Sequence, residues 1–387
     1  MTFPDFSFLP ETSLYPAASV VQKYLEDYAT YFDLLRYVRL GTRVERVFWD
    51  TDSREWDVTL STGERLEFDF VVVANGHYRR PRYPVVAGLQ RWLDSGRGFH
   101  SAWYRNPRDL SHHKKVMVVG GGPSAIDICT DMRGVIPLLL HSIPGPAKPG
   151  GPAYPDDSIN YRKVDRVVEY QEGGAVLLAD RSTESDIDFV ILATGYEMSF
   201  PFLPQIKLGV PSLPPPLPNE LYNSTYHVFP LALHLFPLQG DFPPTSIAFP
   251  GLPSGVPPFL HYEDQAHVIA RVLENPESLD CHTWAVDIVA RTHKLMRERG
   301  TDDPLRISKA WFLFAPLEPF EYRTQLNAFV GKRWSAADWL VEFWEKRFVL
   351  HRKWREIERE GRAEELLKGV GVNGVEDWIE LCRKVLA

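Results

Sequence analysis

The sequence is poor in cysteine and in long apolar runs, and each shortage excludes a class of protein. Its 387 residues contain three cysteines, Cys129, Cys281 and Cys382, which lie far apart and form no Cys-x-x-Cys pair. We therefore expect no disulfide framework, no metal site and no dithiol redox centre. Apolar runs such as Ile136–Leu140 are too short to span a bilayer, and no secretory signal pattern follows Met1. A cytoplasmic protein without a membrane anchor is expected.

Positive charge is also scarce. The 43 Lys and Arg residues face 51 Asp and Glu residues, the net charge is −8, and no stretch is densely basic. We therefore do not expect nucleic acid as a partner. The hydrophobic fraction of 44% and the charged fraction of 24% are typical of a soluble globular protein. At roughly 150 residues per domain, the length predicts two or three domains.

Prolines divide the chain into regions of different structure. Of the 32 prolines, 15 lie between Pro201 and Pro258, where they exclude long helices. This segment is predicted to be irregular, with one short strand at Ser246–Phe249. Upstream, residues 17–200 alternate helix and strand patterns, and the first helix is expected to begin with a capping box formed by Ser19 and Gln22. Downstream of about Tyr262 the chain is predicted to be mostly helical.

An internal repeat is the most informative feature of the sequence. Asp69–Gly76 matches Asp188–Gly195 position by position, and each copy follows a short pattern of alternating strands. Two similar supersecondary units are therefore predicted within one chain. The apolar stretch Phe70–Ala74 in the first copy predicts a strand that is buried on both faces.

The second copy contains a glycine-rich turn in the context that dinucleotide binding requires. A predicted strand, Lys115–Val119, is followed by Gly120–Ala125 and then by a predicted helix, Ile126–Met132. This is the Gly-x-Gly-x-x-Gly/Ala pattern, in which Gly120 permits the turn, Gly122 lets the backbone approach a pyrophosphate and Ala125 allows close packing. The helix N-terminus would supply amide donors. A purely structural glycine turn is the less favoured interpretation.

The next predicted strand, Ile136–His141, bears on the choice between NAD and NADP. A carboxylate after this strand would bind the ribose 2′-hydroxyl of NAD, but the first acidic residue downstream is Asp156. An uncharged or basic strand end tolerates a 2′-phosphate, so NADP is favoured. Ser142 and Lys148 are the candidate partners of that phosphate.

The first copy has no corresponding glycine-rich turn. Upstream of Asp69 only the isolated Gly41 and Gly63 occur. If this copy is also a dinucleotide domain, its phosphate-binding βαβ unit would precede residue 1. We therefore expect an N-terminally truncated fold.

Four motifs follow one another along the chain: Phe3–Phe6, Asn75–Tyr78, Gly120–Ala125 and Ala193–Tyr196. Together, and in this order, they resemble motifs of the flavin-containing monooxygenases, in particular fungal-type members. Residues 94–104 resemble the family signature FxGxxxHxxx(Y/F): Gly96, His100 and Tyr104 match, whereas Asp94 replaces the usual phenylalanine. Tyrosine rather than tryptophan at 104 favours the branch that oxygenates nitrogen and sulfur.

The resemblance implies an α/β fold with two Rossmann-like dinucleotide-binding domains, the first without its N-terminal βαβ unit, and a helical C-terminal region. The implied domains are a partial FAD domain at 1–108, an NADP domain at 109–200, a proline-rich return segment of the FAD domain at 201–275 and helices at 276–387. It also implies an NADPH- and FAD-dependent monooxygenase that oxygenates an amine or sulfur compound with O2 through a flavin hydroperoxide. A homodimer is left open.

The resemblance also assigns residues to the two cofactors. On the NADP side it implies Gly120, Gly122, Pro123, Ser124, Ala125, Ser142, Thr194 and Gly195. On the FAD side it implies Val44, Ala74, Asn75, Gly76 and Gln265. No residue is assigned a catalytic role; the candidates are Asn75, His100 and Tyr104, and for His100 a packed linker histidine is at least an equal interpretation.

Two alternatives to an active flavoenzyme stay open from the sequence. One is a catalytically inactive relative that lacks the FAD site and still binds NADP. The other, a flavin-free NADP reductase, is less favoured because no Tyr-x-x-x-Lys pair accompanies the glycine turn. Since losing a central strand and helix exposes core on both faces of a sheet, we also expect a poorly stable chain without tightly bound flavin.

Overall fold

The computed structural model describes residues 2–143, 145, 154 and 157–387. In chain order, the helices are α1 Ala18–Tyr31, α2 Leu89–Asp94, α3 Pro123–Met132, α4 Pro258–Glu274, α5 Cys281–Arg299, α6 Pro304–Ala310, α7 Glu318–Phe329, α8 Asp338–Glu345, α9 Arg347–Arg359, α10 Ala363–Leu367 and α11 Val375–Leu386. The strands are β1 Val44–Asp50, β2 Glu55–Leu60, β3 Arg65–Phe68, β4 Val71–Val72, β5 Arg80–Pro81, β6 Gly98–His100, β7 Lys115–Val119, β8 Leu138–Ser142, β9 Tyr161–Val164, β10 Val167–Tyr170, β11 Val176–Leu178, β12 Thr183–Glu184, β13 Phe189–Leu192, β14 Tyr196–Glu197, β15 Lys207–Leu208, β16 Tyr222–Asn223, β17 Val228–Phe229, β18 Leu231–Ala232, β19 Phe236–Pro237 and β20 Ile247–Ala248. This combination confirms the predicted α/β class.

The chain forms two compact units. Unit 1 comprises Met1–Gly76 with Met198–Ala387, and unit 2 comprises His77–Glu197. Strand β6 therefore belongs to unit 2, although it lies upstream of residue 109.

Unit 2 is built on a parallel five-stranded sheet. The strand order is β6-β13-β7-β8-β9, and every neighbouring pair is parallel. Alternate side chains of the central strands enter opposite cores: Val118 and Ile191 pack with α3, whereas Met117 and Val190 pack with α2 and β10–β11. All four are at most 1% exposed, as a sheet covered on both faces requires. The predicted strand Lys115–Val119 is confirmed.

Unit 1 combines short strands with eight C-terminal helices among its described residues. Strands β1, β2 and β3 form the antiparallel meander that the alternating pattern predicts. The helical region begins at Pro258, in agreement with the sequence. Helices α4 and α7 are joined by a buried ion pair between Asp264 and Arg323, and Asn327 also donates to the Asp264 carboxylate.

Three local predictions in unit 1 are wrong. Helix α1 begins one residue before Ser19, with Ala17 as an N-cap that makes no side-chain hydrogen bond, so the capping box does not form. The predicted strand at Ser246–Phe249 is present as β20, but the proline-rich segment contains five further two-residue strands, β15–β19, because such short strands tolerate frequent prolines. The strand at Phe70–Ala74 is reduced to β4, and Val72 is 45% exposed.

Two general properties complete the description. None of the helices in the described ranges has both the length and the apolar character that crossing a bilayer requires. In the same ranges, no group of three or more His, Cys, Asp or Glu side chains is arranged to hold a metal ion.

Candidate functional site

The candidate site lies at one edge of the unit 2 sheet, where the carboxyl ends of four parallel strands meet. His100, Leu192, Val119 and Ser142 are partners in register across β6, β13, β7 and β8. The residues after Val119 and Leu192 are the glycine-rich turn and Ala193-Thr194-Gly195. In open parallel sheets, ligands bind outside the carboxyl ends of the strands. The sheet thus brings together the described candidates that the sequence analysis placed on the NADP side.

The glycine-rich turn has the geometry of a phosphate cradle. Gly120 has a φ of 138°, and a Cβ there would lie 2.2 Å from the Ala193 carbonyl oxygen, so the position requires glycine. Gly122 is the extended N-cap of α3, and a Cβ there would meet nothing within 4 Å. Ala125 is 0% exposed against the sheet. The geometry is thus compatible with the predicted roles of Gly120 in the turn, Gly122 in phosphate approach and Ala125 in close packing.

The backbone donors of this turn are available to an anion. Within the described residues, the N–H groups of Gly121, Gly122 and Ser124 have no backbone acceptor, whereas the N–H of Gly120 donates to the Ser142 carbonyl. Three amides at the N-terminus of a ten-residue helix attract negative charge through both hydrogen bonding and the helix dipole. The residues therefore fit a dinucleotide pyrophosphate.

His141 holds the glycine-rich turn in place. Its Nε2 donates to the Gly120 carbonyl at 2.7 Å, and its Nδ1 accepts from the Tyr161 hydroxyl at 2.8 Å. The side chain is 0% exposed, and burial lowers the pKa of His141, so the imidazole is neutral. Sequence reasoning noted His141 only as an uncharged strand end, because a contact between neighbouring strands leaves no local signal in the sequence.

His100 likewise holds in place the turn Ala193-Thr194-Gly195, which follows β13. Its Nε2 lies 2.9 Å from the Gly195 carbonyl oxygen, and its Nδ1 accepts from the Ala102 N–H. This arrangement requires a neutral ring whose Nε2–H donates to Gly195, and burial lowers the pKa of His100 accordingly. The side chain is 0% exposed. These contacts favour a positioning role over acid–base catalysis.

Three other candidates have partners or surroundings that limit what they can bind. The Ser142 hydroxyl donates to the Asp165 carbonyl at 3.0 Å and is buried. Thr194 Oγ1 donates to the Arg82 carbonyl at 2.6 Å. The Tyr104 hydroxyl is buried without a hydrogen-bond partner among the described residues, and burial raises its pKa. Lys148, the other candidate for the 2′-phosphate, lies outside the described residues.

Two further contacts have no sequence signal, and they lie at opposite ends of β7. Asp188 Oδ2 accepts from the N–H groups of Lys114 and Lys115, at 2.7 and 2.8 Å, where β7 begins. Burial alone would raise the pKa of Asp188, but these hydrogen bonds lower it overall. The Tyr154 hydroxyl lies 3.4 Å from the Gly121 carbonyl oxygen and against the face where a Gly121 side chain would project.

The flavin-side candidates lie on separate elements of unit 1. Val44 begins β1 and is 38% exposed, while Ala74, Asn75 and Gly76 are exposed after β4. Gln265 is fully buried on α4: its Oε1 accepts from the Gly251 N–H at 2.9 Å and its Nε2 donates to Tyr322. Gln265 thus fixes the turn after β20. The glycine-rich stretch of unit 1, Gly369–Gly374, joins helix α10 to helix α11 and does not follow a strand, so the fit of unit 1 to a flavin dinucleotide is partial.

Comparison with known proteins identifies one matching family model and related sequences from yeast and plants. The model of a family described as FMO-like, flavin-binding monooxygenase-like, matches residues 1–142 and 159–212, just over half of the chain. A thiol-specific monooxygenase of Saccharomyces cerevisiae is 30% identical over 54% of this chain and 49% of its own length. Flavin-containing monooxygenase FMO GS-OX-like 2 of Arabidopsis thaliana is 30% identical over 72% of this chain and 59% of its own length.

A solved structure extends the similarity to the fold. The S-allyl-L-cysteine S-oxygenase of Allium sativum superimposes with a TM-score of 0.71 and 25% identity, covering 95% of this chain and 81% of that one. The chain spans only about half to three fifths of the length of the two curated relatives.

Proposed function

Because this chain belongs to the flavin-binding monooxygenase-like family, we propose that it forms the NADPH-binding unit and part of the flavin-binding unit of a monooxygenase that oxygenates sulfur compounds. The observation that carries the proposal is the glycine-rich turn at the meeting point of four strand ends, where three N–H groups have no backbone acceptor among the described residues. The family membership predicted from the motifs is confirmed by the family match.

The residues of unit 2 would hold and orient the nucleotide. The N–H groups of Gly121, Gly122 and Ser124 would bind the pyrophosphate, and the absence of a side chain at Gly122 lets the phosphates approach the backbone. His141 and His100 keep the carbonyls of Gly120 and Gly195 fixed, so that the turn needs no reorganisation when the nucleotide binds.

When bound, NADPH and FAD would supply the reducing equivalents and the activation of O2, of which one oxygen atom would reach the substrate and the other would leave as water. The protein's part is to position the nucleotide and exclude water. The names of the yeast relative, a thiol-specific monooxygenase, and of the garlic enzyme, an S-oxygenase, support sulfur as the oxygenated atom.

A second candidate is an NADP-binding relative without flavin chemistry. It is favoured by one specific observation: among the described residues, Gly120–Ala125 of unit 2 joins a strand to a helix, whereas the other Gly-x-Gly-x-x-Gly stretch, Gly369–Gly374 of unit 1, joins two helices. The two candidates share nucleotide binding and differ in flavin retention and turnover.

We expect the chain to bind NADPH at least about tenfold more tightly than NADH. The strand that would end beside the adenosine ribose closes with His141 and Ser142, and Lys163 lies opposite His141 on β9, so a carboxylate suited to a 2′-hydroxyl is lacking among these strand-end residues. Fluorescence titration with both nucleotides measures the ratio. Tighter binding of NADH would contradict the assignment.

A turnover experiment separates the two candidates. The chain is purified, its absorbance near 450 nm is recorded, and NADPH oxidation is followed with added FAD and either S-allyl-L-cysteine or a small thiol. Sulfoxide or disulfide formation dependent on FAD supports the monooxygenase. NADPH binding without bound flavin and without turnover would support the second candidate, and no NADPH binding would overturn both.

A further inference from the structure

The segment that joins α7 to α8 is irregular and mostly exposed. Residues 332–337, between the two helices, lie in neither a helix nor a strand. Lys332, Arg333 and Ser335 are all exposed. Such a segment can be drawn into an extended conformation without breaking a helix or a strand, so it is accessible to enzymes that act on polypeptides.

The sequence of this segment combines a pair of cations with a hydroxyl side chain. The chain contains seven pairs of adjacent Lys or Arg residues, which are Arg79-Arg80, Lys114-Lys115, Arg162-Lys163, Lys332-Arg333, Lys346-Arg347, Arg352-Lys353 and Arg383-Lys384. Only after Lys332-Arg333 does a Ser or Thr occur within the next three residues, and it is Ser335. The combination is therefore rare in this chain, although adjacent cations are common.

The two cations of the segment are unpaired. Neither Lys332 nor Arg333 forms an ion pair or a side-chain hydrogen bond with another described residue. The nearest basic residues on either side, Arg323 of α7 and Lys346 after α8, each pair with a carboxylate. Residues 324–337 contain no Asp or Glu. The positive charge before Ser335 is thus free to bind an acidic partner.

Two contacts hold the segment on the surface and leave the serine accessible. The Lys332 N–H donates to the Asn327 carbonyl at 2.8 Å. The guanidinium carbon of Arg323 lies 4.3 Å from the ring centre of Trp334, and Arg323 is itself held by a buried carboxylate of α4. The Ser335 hydroxyl forms no hydrogen bond with another described residue. It is therefore free to react without disrupting a contact of the fold.

We propose that Ser335 is a phosphorylation site for a serine kinase that recognises basic residues two and three positions before the serine. Such a kinase presents carboxylates to these positions, and matched charges of this kind set the specificity of kinases for their substrates. The Ser335 oxygen would attack the γ-phosphorus of ATP. A new O–P bond replaces the bond from this phosphorus to ADP, which leaves, and the hydroxyl proton is released.

The modification would change the charge of the segment. Phosphoserine carries about −1.5 to −2 charges at pH 7 and three strong acceptor oxygens. It would therefore offset the two positive charges of Lys332 and Arg333, which lie close enough along the chain to pair with it. A surface segment that attracts acidic partners would become nearly neutral.

The experiment incubates the folded 387-residue chain with MgATP and the catalytic subunit of the cyclic-AMP-dependent protein kinase, and peptide mass spectrometry locates the phosphate. We expect phosphate on Ser335 and none in Ser335→Ala at that peptide. Replacing both Lys332 and Arg333 with alanine should lower the initial rate at least about tenfold, because two charge pairs with the kinase are lost. Ser53→Ala is the matched control, since Ser53 is also exposed but follows Asp52, and it should leave the rate unchanged.

A synthetic peptide of residues 327–339 separates the sequence pattern from its presentation by the fold. We expect both the peptide and the folded chain to be phosphorylated. Phosphorylation of the peptide alone, of neither, or of the chain only at another residue would overturn the proposal, and so would an unchanged rate in the double alanine variant. Circular dichroism checks that the variants fold. These measurements involve neither NADPH nor flavin, so their outcome is independent of the proposed function.

Discussion

Replacing Gly122 with alanine should lower NADPH affinity by roughly tenfold or more while leaving the free energy of unfolding unchanged. Gly122 has extended backbone angles, φ −90° and ψ 175°, that any residue adopts, and a methyl group there meets no protein atom within 4 Å. The methyl group would instead occupy the space through which a pyrophosphate reaches the amides of α3. Tenfold corresponds to about 1.4 kcal/mol of binding free energy. NADPH titration and urea denaturation of the same variant measure the two quantities.

Gly120→Ala is the contrasting variant. Its φ of 138° strains any L-residue, and its Cβ would overlap the Ala193 carbonyl, so we expect the free energy of unfolding to fall by at least about 1–3 kcal/mol. Ser124→Ala, which keeps its N–H at an exposed position, should change neither stability nor affinity by much. Unchanged NADPH affinity in Gly122→Ala would contradict the assignment of the turn to the pyrophosphate.

The second large effect is a loss of stability in mild acid. Burial lowers the pKa of His227 and of His261 to about 3, and it lowers the pKa of His234 well below its usual range. The unfolded chain therefore binds protons below about pH 6.5 that the folded chain does not. Stability is highest above pH 6.5 and falls as the pH decreases toward the folded-state values.

The expected decrease in the free energy of unfolding follows from the same pKa shifts. At pH 5.0, 1.5 units below the unfolded value of about 6.5, each of His227 and His261 removes about 2 kcal/mol, or about 4 kcal/mol together. The pKa values of Glu263 and Asp287, raised mainly by burial, act in the opposite direction. Urea denaturation at pH 7.0 and 5.0, followed by tryptophan fluorescence, measures the difference.

A variant of His261 tests whether buried neutral histidines cause the loss of stability in mild acid. Both ring nitrogens of His261 are buried without hydrogen-bond partners among the described residues, and the ring packs against Tyr322. His261→Phe should therefore reduce the loss between pH 7.0 and 5.0 by about 2 kcal/mol. His267→Phe, on the exposed face of the same helix, is the control and should not reduce it. If His261→Phe left the pH dependence of the free energy of unfolding unaltered, His261 would be excluded as a cause of the acid destabilisation.

The sequence predicts unit 2 well because its signals are local. A strand, a glycine-rich turn and a helix follow one another within about twenty residues, and the structure has them at Lys115–Val119, Gly120–Gly122 and Pro123–Met132. The contacts of His100 and His141 with glycine carbonyls could not be predicted, because they join residues from different strands. No periodicity or motif records such a contact.

Unit 1 shows where the same reasoning fails. The stretch Phe70–Ala74 is as apolar as its counterpart, yet burial of a strand depends on its neighbours, and β4 has one neighbour among the described residues where β13 has two. Likewise, the two-residue strands of the proline-rich segment are too short to produce an alternating pattern. The contacts of Gln265, which the resemblance assigns to the FAD side, depend on tertiary packing: its side chain bonds to Gly251 and Tyr322.

Amide hydrogen exchange with and without NADPH is the most direct test of the central claim, that the turn after β7 binds the nucleotide. Gly121, Gly122 and Ser124, whose N–H groups lack acceptors among the described residues, should become protected when NADPH is added. Amides at Asn75 and Gly76 after β4 should not change. Protection at β4 alone, or none at Gly121–Ser124 under saturating NADPH, would contradict the account.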